Sequence, residues 1–306
     1  MAKNNQNTLK DKIEIQGIGL HNGIKVNLTI KPSAPGTGIV FKRTDIKENN
    51  IVHANFQNVV DPVLCTKLKN DSGISVSTVE HLMAAFYGEG IDNALVELDA
   101  PEIPIMDGSA VDFVDAIRAV GIEKQNKSRK FIKALKKVEV KDGQKFISIE
   151  PLNEDLIIDF ELIFNNPLIR TRRKEFKLSD NDLSSIYNSR TFCLYEDIDN
   201  IKRMGLAKGG SLDNAIVVQG DKILNEEGLR NRHEFVYHKI LDCLGDIMLS
   251  GNRIFGHIKT SQGGHALTNK LLKKFFSDKT NWSFETFENK TKENSNSYDN
   301  PVTISA

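Results

Sequence analysis

Three short segments of the chain carry residue types that could do chemistry. In His238-Lys-Ile-Leu-Asp242 the imidazole and the carboxylate are four positions apart. A helix turns about 100° per residue, so the two project about 40° apart and could grip one cation. The ordinary alternative is a hydrogen bond on a helix surface. His233 lies five positions before His238, about 140° around a helix, so His233-Glu234 cannot complete a zinc-protease pattern. In Ser77-Thr-Val-Glu80-His81, Ser77 and Glu80 have capping-box spacing, whereas a functional reading places a base beside a metal ligand. With His81 added, His238 and Asp242 would form a set of two histidines and a carboxylate, which leaves a position open for water. Gly263-Gly264-His265 sets a histidine at a helix entrance, where it would either cap the helix or transfer protons.

These segments need elements to hold them. Val79, Leu82, Met83, Ala85 and Phe86 repeat with helical period and stop near Gly88 and Gly90. Further helices are expected at 112–120, 226–249 and 265–276, and strands at 13–23, 24–30 and 93–98, the first two forming a hairpin. Residues 125–137 hold no acidic residue and several cations, and read as a linker with a domain boundary near 127. Beyond it, Gly143-Gln-Lys145 followed by Ile149-Glu-Pro151 echoes Gly23-Ile-Lys25 followed by Ile30-Lys-Pro32, which points to a duplicated unit. Residues 189–218 read as a compact βαβ unit, with strands at 190–194 and 215–218 and a helix at 196–204. After Asp278 the composition becomes polar, and a poorly ordered tail is expected apart from docking of Trp282, Phe284 or Phe287.

Composition narrows the class. The 306 residues suffice for two domains, and 41 basic against 41 acidic residues argue against a nucleic-acid coat or a polybasic membrane binder. Cys65, Cys193 and Cys243 form no Cys-x-x-Cys pair, so a disulfide scaffold or thiolate zinc site is not expected. The polar N-terminus and the lack of a run of about 18 apolar residues predict a soluble, cytoplasmic protein without a membrane span. There is no Gly-x-x-x-x-Gly-Lys-Ser/Thr loop, no strand followed by Gly-x-Gly-x-x-Gly and no Gly-x-Ser-x-Gly elbow. ATPase, dinucleotide oxidoreductase and serine hydrolase readings lose their usual support.

Seven blocks in order complete the picture: Gly-Ile-Gly-Leu-His21, Ser-Thr-Val-Glu80-His81-Leu, Ala-Pro-Glu-Ile-Pro-Ile-Met-Asp-Gly-Ser (100–109), Ser-Arg-Thr191-Phe, Gly-Gly-Ser-Leu-Asp-Asn-Ala-Ile-Val-Val (209–218), Phe-Val-Tyr-His238-Lys-Ile-Leu-Asp242 and Gly-His265-Ala-Leu-Thr-Asn-Lys. Together they resemble the UDP-3-O-acyl-N-acetylglucosamine deacetylases, zinc amidases of lipid A synthesis. The resemblance implies an α+β fold of two domains with similar topology, each a β-sheet layered with helices. These would be 1–126, with an insert around 44–76, and 127–277, with the βαβ unit of 189–218 as its insert; 278–306 would be the tail. It implies Zn2+, with Fe2+ as the alternative in the cell, on His81, His238 and Asp242. Glu80 would be the base and His265 the second acid-base group. The Thr191 hydroxyl would donate to the oxyanion, and Asp246 would orient His265.

The substrate implied is UDP-3-O-(3-hydroxyacyl)-N-acetylglucosamine, cleaved to acetate and the free amine in the committed step of the pathway by a monomer that binds no nucleic acid. Lys239 would meet the diphosphate, with the basic runs at 170–174 and 202–203 more simply read as solvated faces. Phe192, Ile198, Leu206, Gly210, Ser211, Ala215 and Val217 from the βαβ insert, with Leu20, Val63 and Cys65, would line an acyl passage. The rival readings are a non-haem iron oxygenase, which uses the same two-His, one-carboxylate set, and a non-catalytic module holding RNA or an anionic lipid.

Overall fold

The computed structural model describes residues 4–180 and 182–287. Its helices are α1 (Glu80–Glu89), α2 (Val111–Val120), α3 (Ser184–Tyr187), α4 (Ile198–Arg203), α5 (Glu234–Met248) and α6 (His265–Ser277). Around them the chain builds one unit twice. In the first half, strands Ile13–Ile18 and Lys25–Pro32 form a hairpin, Ala94–Leu98 runs antiparallel to the latter, Ile39–Arg43 runs parallel to Ala94–Leu98, and Ile51–His53 closes the sheet. In the second half, Val138–Asp142 and Lys145–Glu150 form the hairpin, Arg253–Ser261 lies antiparallel to it, Leu156–Leu162 runs parallel to Arg253–Ser261, and Arg172–Lys177 pairs with Leu156–Leu162. Strand order and direction agree throughout, so the fold is α+β with two halves of similar topology. The local echo has a structural origin: Gly23 and Gly143, at the hairpin turns, both take positive φ (70° and 60°), which glycine adopts without steric cost.

Each half places two helices on its sheet, and the halves meet through α1 and α5. Leu82, Met83, Ala84, Ala85 and Phe86 of α1 are fully buried, as are Val236, Ile240, Leu241, Leu244 and Ile247 of α5. Such helices are apolar on most of their circumference because they are covered on more than one side. Their crossing is tight at one point: a Cβ on Gly245 would lie 2.0 Å from the backbone oxygen of Glu80. Only glycine lets the start of α1 sit that close to the middle of α5.

Several boundaries differ from the sequence reading. The segment read as a linker is partly strand: Ile122–Ser128 pairs with Asn5–Leu9 and ties down the N-terminal segment, and buried Arg129 pairs with Asp92. The helix expected from 226 begins only at Glu234, because the buried Glu234 carboxylate accepts from Arg190 Nε (2.9 Å) and from the Arg230 N–H (2.7 Å). Ser77 and Glu80 form no capping box: Ser77 Oγ donates to Pro101 O, and Glu80 is used elsewhere. The docking expected of aromatic residues at the start of the tail takes the form of a strand. Trp282–Thr286 is a strand antiparallel to Lys130–Ala134, held by Trp282 against Phe276 and by Phe287 against Phe131. The rest of the tail lies outside the described residues. The βαβ unit forms with parallel strands Phe192–Leu194 and Ile216–Gln219 flanking α4, and Lys222–Ile223 adds a third strand.

Candidate active site

The site grows from the α1–α5 crossing. Thr78, just before α1, holds φ at +56°, an uncommon conformation for a residue with a branched Cβ. It is pinned there by its hydroxyl donating to buried Glu102 at 2.7 Å, and Glu102 also accepts from the His21 and Asn22 N–H groups. The turn aims Glu80 and His81 at α5. There, His81 Nε2 and His238 Nε2 lie 3.6 and 3.5 Å from Asp242 Oδ1, and all three residues are buried. The i,i+4 pair read from the sequence is joined by the histidine from the other half.

These donors fit a divalent ion. Bonds of about 2.0–2.1 Å in a tetrahedral shell put neighbouring ligand atoms about 3.3–3.4 Å apart, close to the separations seen. Asp242 Oδ1 is buried with no hydrogen-bond partner among the described residues, so it is free to ligate. His238 Nδ1 donates to Ser189 O at 3.0 Å, which leaves Nε2 as the free lone pair. Burial, against the pull of Asp242, takes the His238 imidazole down to about 3, so it is neutral as a ligand must be. Asp242 is held well below the usual carboxylate range despite its burial, with the Lys239 ammonium bonded to its Oδ2.

Beside the donor set stand two proton-handling groups. Burial raises the Glu80 carboxyl above its ordinary range, and His265 opposes the rise. Glu80 Oε1 lies 3.7 Å from His265 Nε2. His265 Nδ1 is 2.9 Å from Asp246 Oδ2. Burial would lower the His265 imidazole, but Asp246 and Glu80 together lift it to about 9, so it is cationic at neutral pH. A carboxyl group and an imidazolium thus face each other next to the metal donors, both with their affinity for protons raised.

A cavity of about 420 Å³ opens over this group. Glu80, His81, His238, Lys239, Asp242, His265, Thr191, Phe192 and Leu20 line it, and Asp246 stands behind His265. Lys239 Nζ donates to Asp242 Oδ2 at 2.6 Å and remains charged because that carboxylate outweighs burial. The remaining passage residues do not line the cavity. Val63 is half exposed, and buried Cys65 has its thiol pushed to about 12 by burial and by Glu80; their neighbours Pro62 and Leu64 reach the cavity instead. The cause is a tight turn, with Asp61 and Leu64 both at positive φ, which turns alternate side chains away from the positions that spacing suggests. Ile198 and Ala215 are half-buried, Ser211 is exposed in a turn, and Gly210 borders the cavity only through Leu20. Arg173 of the basic run pairs with Asp159, away from the cavity.

Sequence reasoning did not single out Thr66, His21 or Lys145. His21 and Lys145 line the cavity, and the Thr66 N–H donates to Glu80 Oε2 at 3.0 Å. His21 stood inside a matched block, which was a usable signal. Thr66 and Lys145 carried none, because neither spacing nor a neighbour of matching chemistry marks them.

A buried two-His, one-Asp donor set with a carboxyl group and an imidazole at its side, set between two α+β halves, is a candidate metal centre of the kind that enzymes with an open coordination position use. The family model for UDP-3-O-acyl N-acetylglycosamine deacetylase (LpxC) matches residues 6–277, and the chain belongs to that family. Curated relatives bearing the name UDP-3-O-acyl-N-acetylglucosamine deacetylase include those of Actinobacillus succinogenes, 46% identical over 94% of this chain and 95% of the relative. Those of Actinobacillus pleuropneumoniae and Haemophilus influenzae are each 44% identical over 93% of this chain and 94% of the relative. No described helix is long and apolar enough to cross a membrane.

Proposed function

We propose that this protein hydrolyses the N-acetyl group of UDP-3-O-(3-hydroxyacyl)-N-acetylglucosamine, releasing acetate and UDP-3-O-acyl-glucosamine for lipid A synthesis. The observation that carries the reading is the pairing of Glu80 and His265 beside the His81–His238–Asp242 donors. Family membership favours hydrolysis over the oxygenase reading of the same donor set and over a non-catalytic binding module.

His81, His238 and Asp242 would hold Zn2+, or Fe2+ in the cell. When bound, the ion supplies a Lewis acid that activates water and polarises an amide carbonyl. Glu80, through Oε1, takes a proton from water as its oxygen bonds to the acetyl carbon. The Thr191 hydroxyl, on the cavity wall, donates to the carbonyl oxygen as it gains charge. His265 then gives its Nε2 proton to the amine nitrogen as the C–N bond breaks, and Asp246 holds the ring through Nδ1. Lys239 and the rim lysine Lys145 offer cations to the diphosphate, and Leu20, Leu64 and Phe192 offer an apolar wall to the acyl chain. Burial of such a chain is worth about 0.8 kcal/mol per methylene. Both sides of the site come from one polypeptide, which supports a monomer as the working unit, and we place it in the cytoplasm.

The test is acetate release from this nucleotide sugar by purified protein before chelation, after chelation and after titration with Zn2+. Activity that survives complete metal removal would sink the reading.

A further inference from the structure

We infer that Thr66 is a positioning residue that sets which atoms of the base and the acid work. This rests on the deacetylase reading and extends it to a residue outside the acid, base and ligand set. Thr66 is 1% exposed and stands where the first insert returns toward α1, just before strand Lys67–Lys69. Its backbone oxygen accepts from the Val79 N–H, and its own N–H donates to Glu80 Oε2 at 3.0 Å. One oxygen of the base is thereby tied to the backbone, and Oε1 is the oxygen left facing His265 Nε2.

The side chain acts on the other partner. Thr66 Oγ1 donates to Asp246 Oδ1 at 2.5 Å and lies 3.1 Å from His265 Nδ1, while Asp246 Oδ2 lies 2.9 Å from the same nitrogen. A hydroxyl has one proton and two lone pairs. With its proton given to Asp246, Oγ1 can only accept from His265. Both neighbours of Nδ1 are then acceptors, so Nδ1 keeps its hydrogen and Nε2 is the nitrogen that exchanges protons in the cavity. Without the hydroxyl, Asp246 Oδ1 loses its donor in a buried site and the carboxylate is free to rotate away from the ring. Thr66 fixes Glu80 through its backbone and His265 through its hydroxyl, so the gap between base and acid is set by one residue.

The experiment compares Thr66→Val, which keeps the shape and removes the hydroxyl, with Thr66→Ser, which keeps the hydroxyl and removes a methyl group. Loss of one outer partner typically costs about 10- to 100-fold. We expect kcat of Thr66→Val to fall by that factor with KM within about twofold, metal content unchanged and an intact melting transition, and Thr66→Ser to stay within about threefold of wild type. Adding Thr66→Val to Asp246→Ala should cost less than the product of the two single losses, because they act through one network. A role in packing alone would reverse the order, with Ser worse than Val, and that result or wild-type kcat in Thr66→Val would overturn the inference. Should Thr66→Val not fold, the 15N spectrum of histidine-labelled wild-type protein, recorded at a pH high enough for the His265 ring to be neutral, decides, with the His265 signals identified by their loss in His265→Ala. A hydrogen on Nδ1 supports the assignment, and a neutral ring protonated only on Nε2 overturns it. Absence of acetate release by the wild type would instead sink the deacetylase reading, leaving the nitrogen spectrum to judge Thr66.

Discussion

The two halves share a topology but give unequal gifts to the site. The first half contributes Glu80 and His81 from the opening residues of α1, where a strained Thr78 aims the helix start. The second contributes His238, Asp242 and Asp246 from successive turns in the middle of α5, and His265 from the first position of α6. The corresponding helices α1 and α5 cross, so one presents an end and the other a flank. An end is set by what precedes it, and a flank by its own periodicity. A duplicated scaffold can therefore make an asymmetric centre without changing its strand order, because the asymmetry lies in where along each helix the polar residues fall.

That division can be broken at either side. Chelation should remove all acetate release, since the donors come from both halves and neither half supplies three ligands; Zn2+ should restore it. Next in size, Glu80→Ala should lower kcat by about 10²- to 10⁴-fold while zinc content, read by elemental analysis, stays at wild-type level. Loss of metal in this variant would show the helix end to be structural.

His265→Ala tests the flank's partner through pH. His265 is lifted to about 9, so the protonated form that the proposed mechanism needs as acid is lost as pH rises through that value. Glu80 has its carboxyl raised, so the ionised form proposed as the base is lost on the acid side above the usual carboxylate range. A bell-shaped profile of kcat/KM is expected in the wild type, and His265→Ala should lose the alkaline limb. An unchanged alkaline limb would assign it to another group.

The crossing itself is tested by Gly245→Ala, whose new methyl group would meet Glu80 O at 2.0 Å. Forcing the helices apart should cost about 1–3 kcal/mol in denaturant unfolding and weaken zinc retention. Wild-type stability would mean that the crossing yields freely. Smallest of all, Val63→Ser should leave stability within about 0.5 kcal/mol and kcat/KM unchanged, because Val63 is 51% exposed and does not line the cavity. A large change in acyl-chain preference in that variant would restore Val63 to the passage.

Much of this was legible in the residues. The alignment of His238 with Asp242 follows from helix geometry alone, and the hairpin echo at Gly23 and Gly143 marked the duplication. The ordered blocks carried Glu80, His81, Thr191 and His265, all of which the cavity brings together. Less legible were features that depend on turns. Capping-box spacing at Ser77 and Glu80 went unused because Thr78 reverses the chain and Thr66 claims the carboxylate. Passage residues of the first insert were displaced by one position, since left-handed turns at Asp61 and Leu64 break simple alternation. The strand at Trp282–Thr286 was hidden by polar composition, as it lies at a sheet edge with Phe284 exposed.

By itself the sequence determined what short-range geometry controls: helices and strands, the repeat, and the i,i+4 pair on α5. Those depend on bond angles and periodicity within a few residues. Only the tertiary structure decided that His81 approaches Asp242, that Asp246 and Thr66 hold His265, and that Leu64 rather than Val63 meets the cavity. Such contacts join distant segments through a glycine crossing and a pinned turn, and their geometry exists only once both helices are buried against each other.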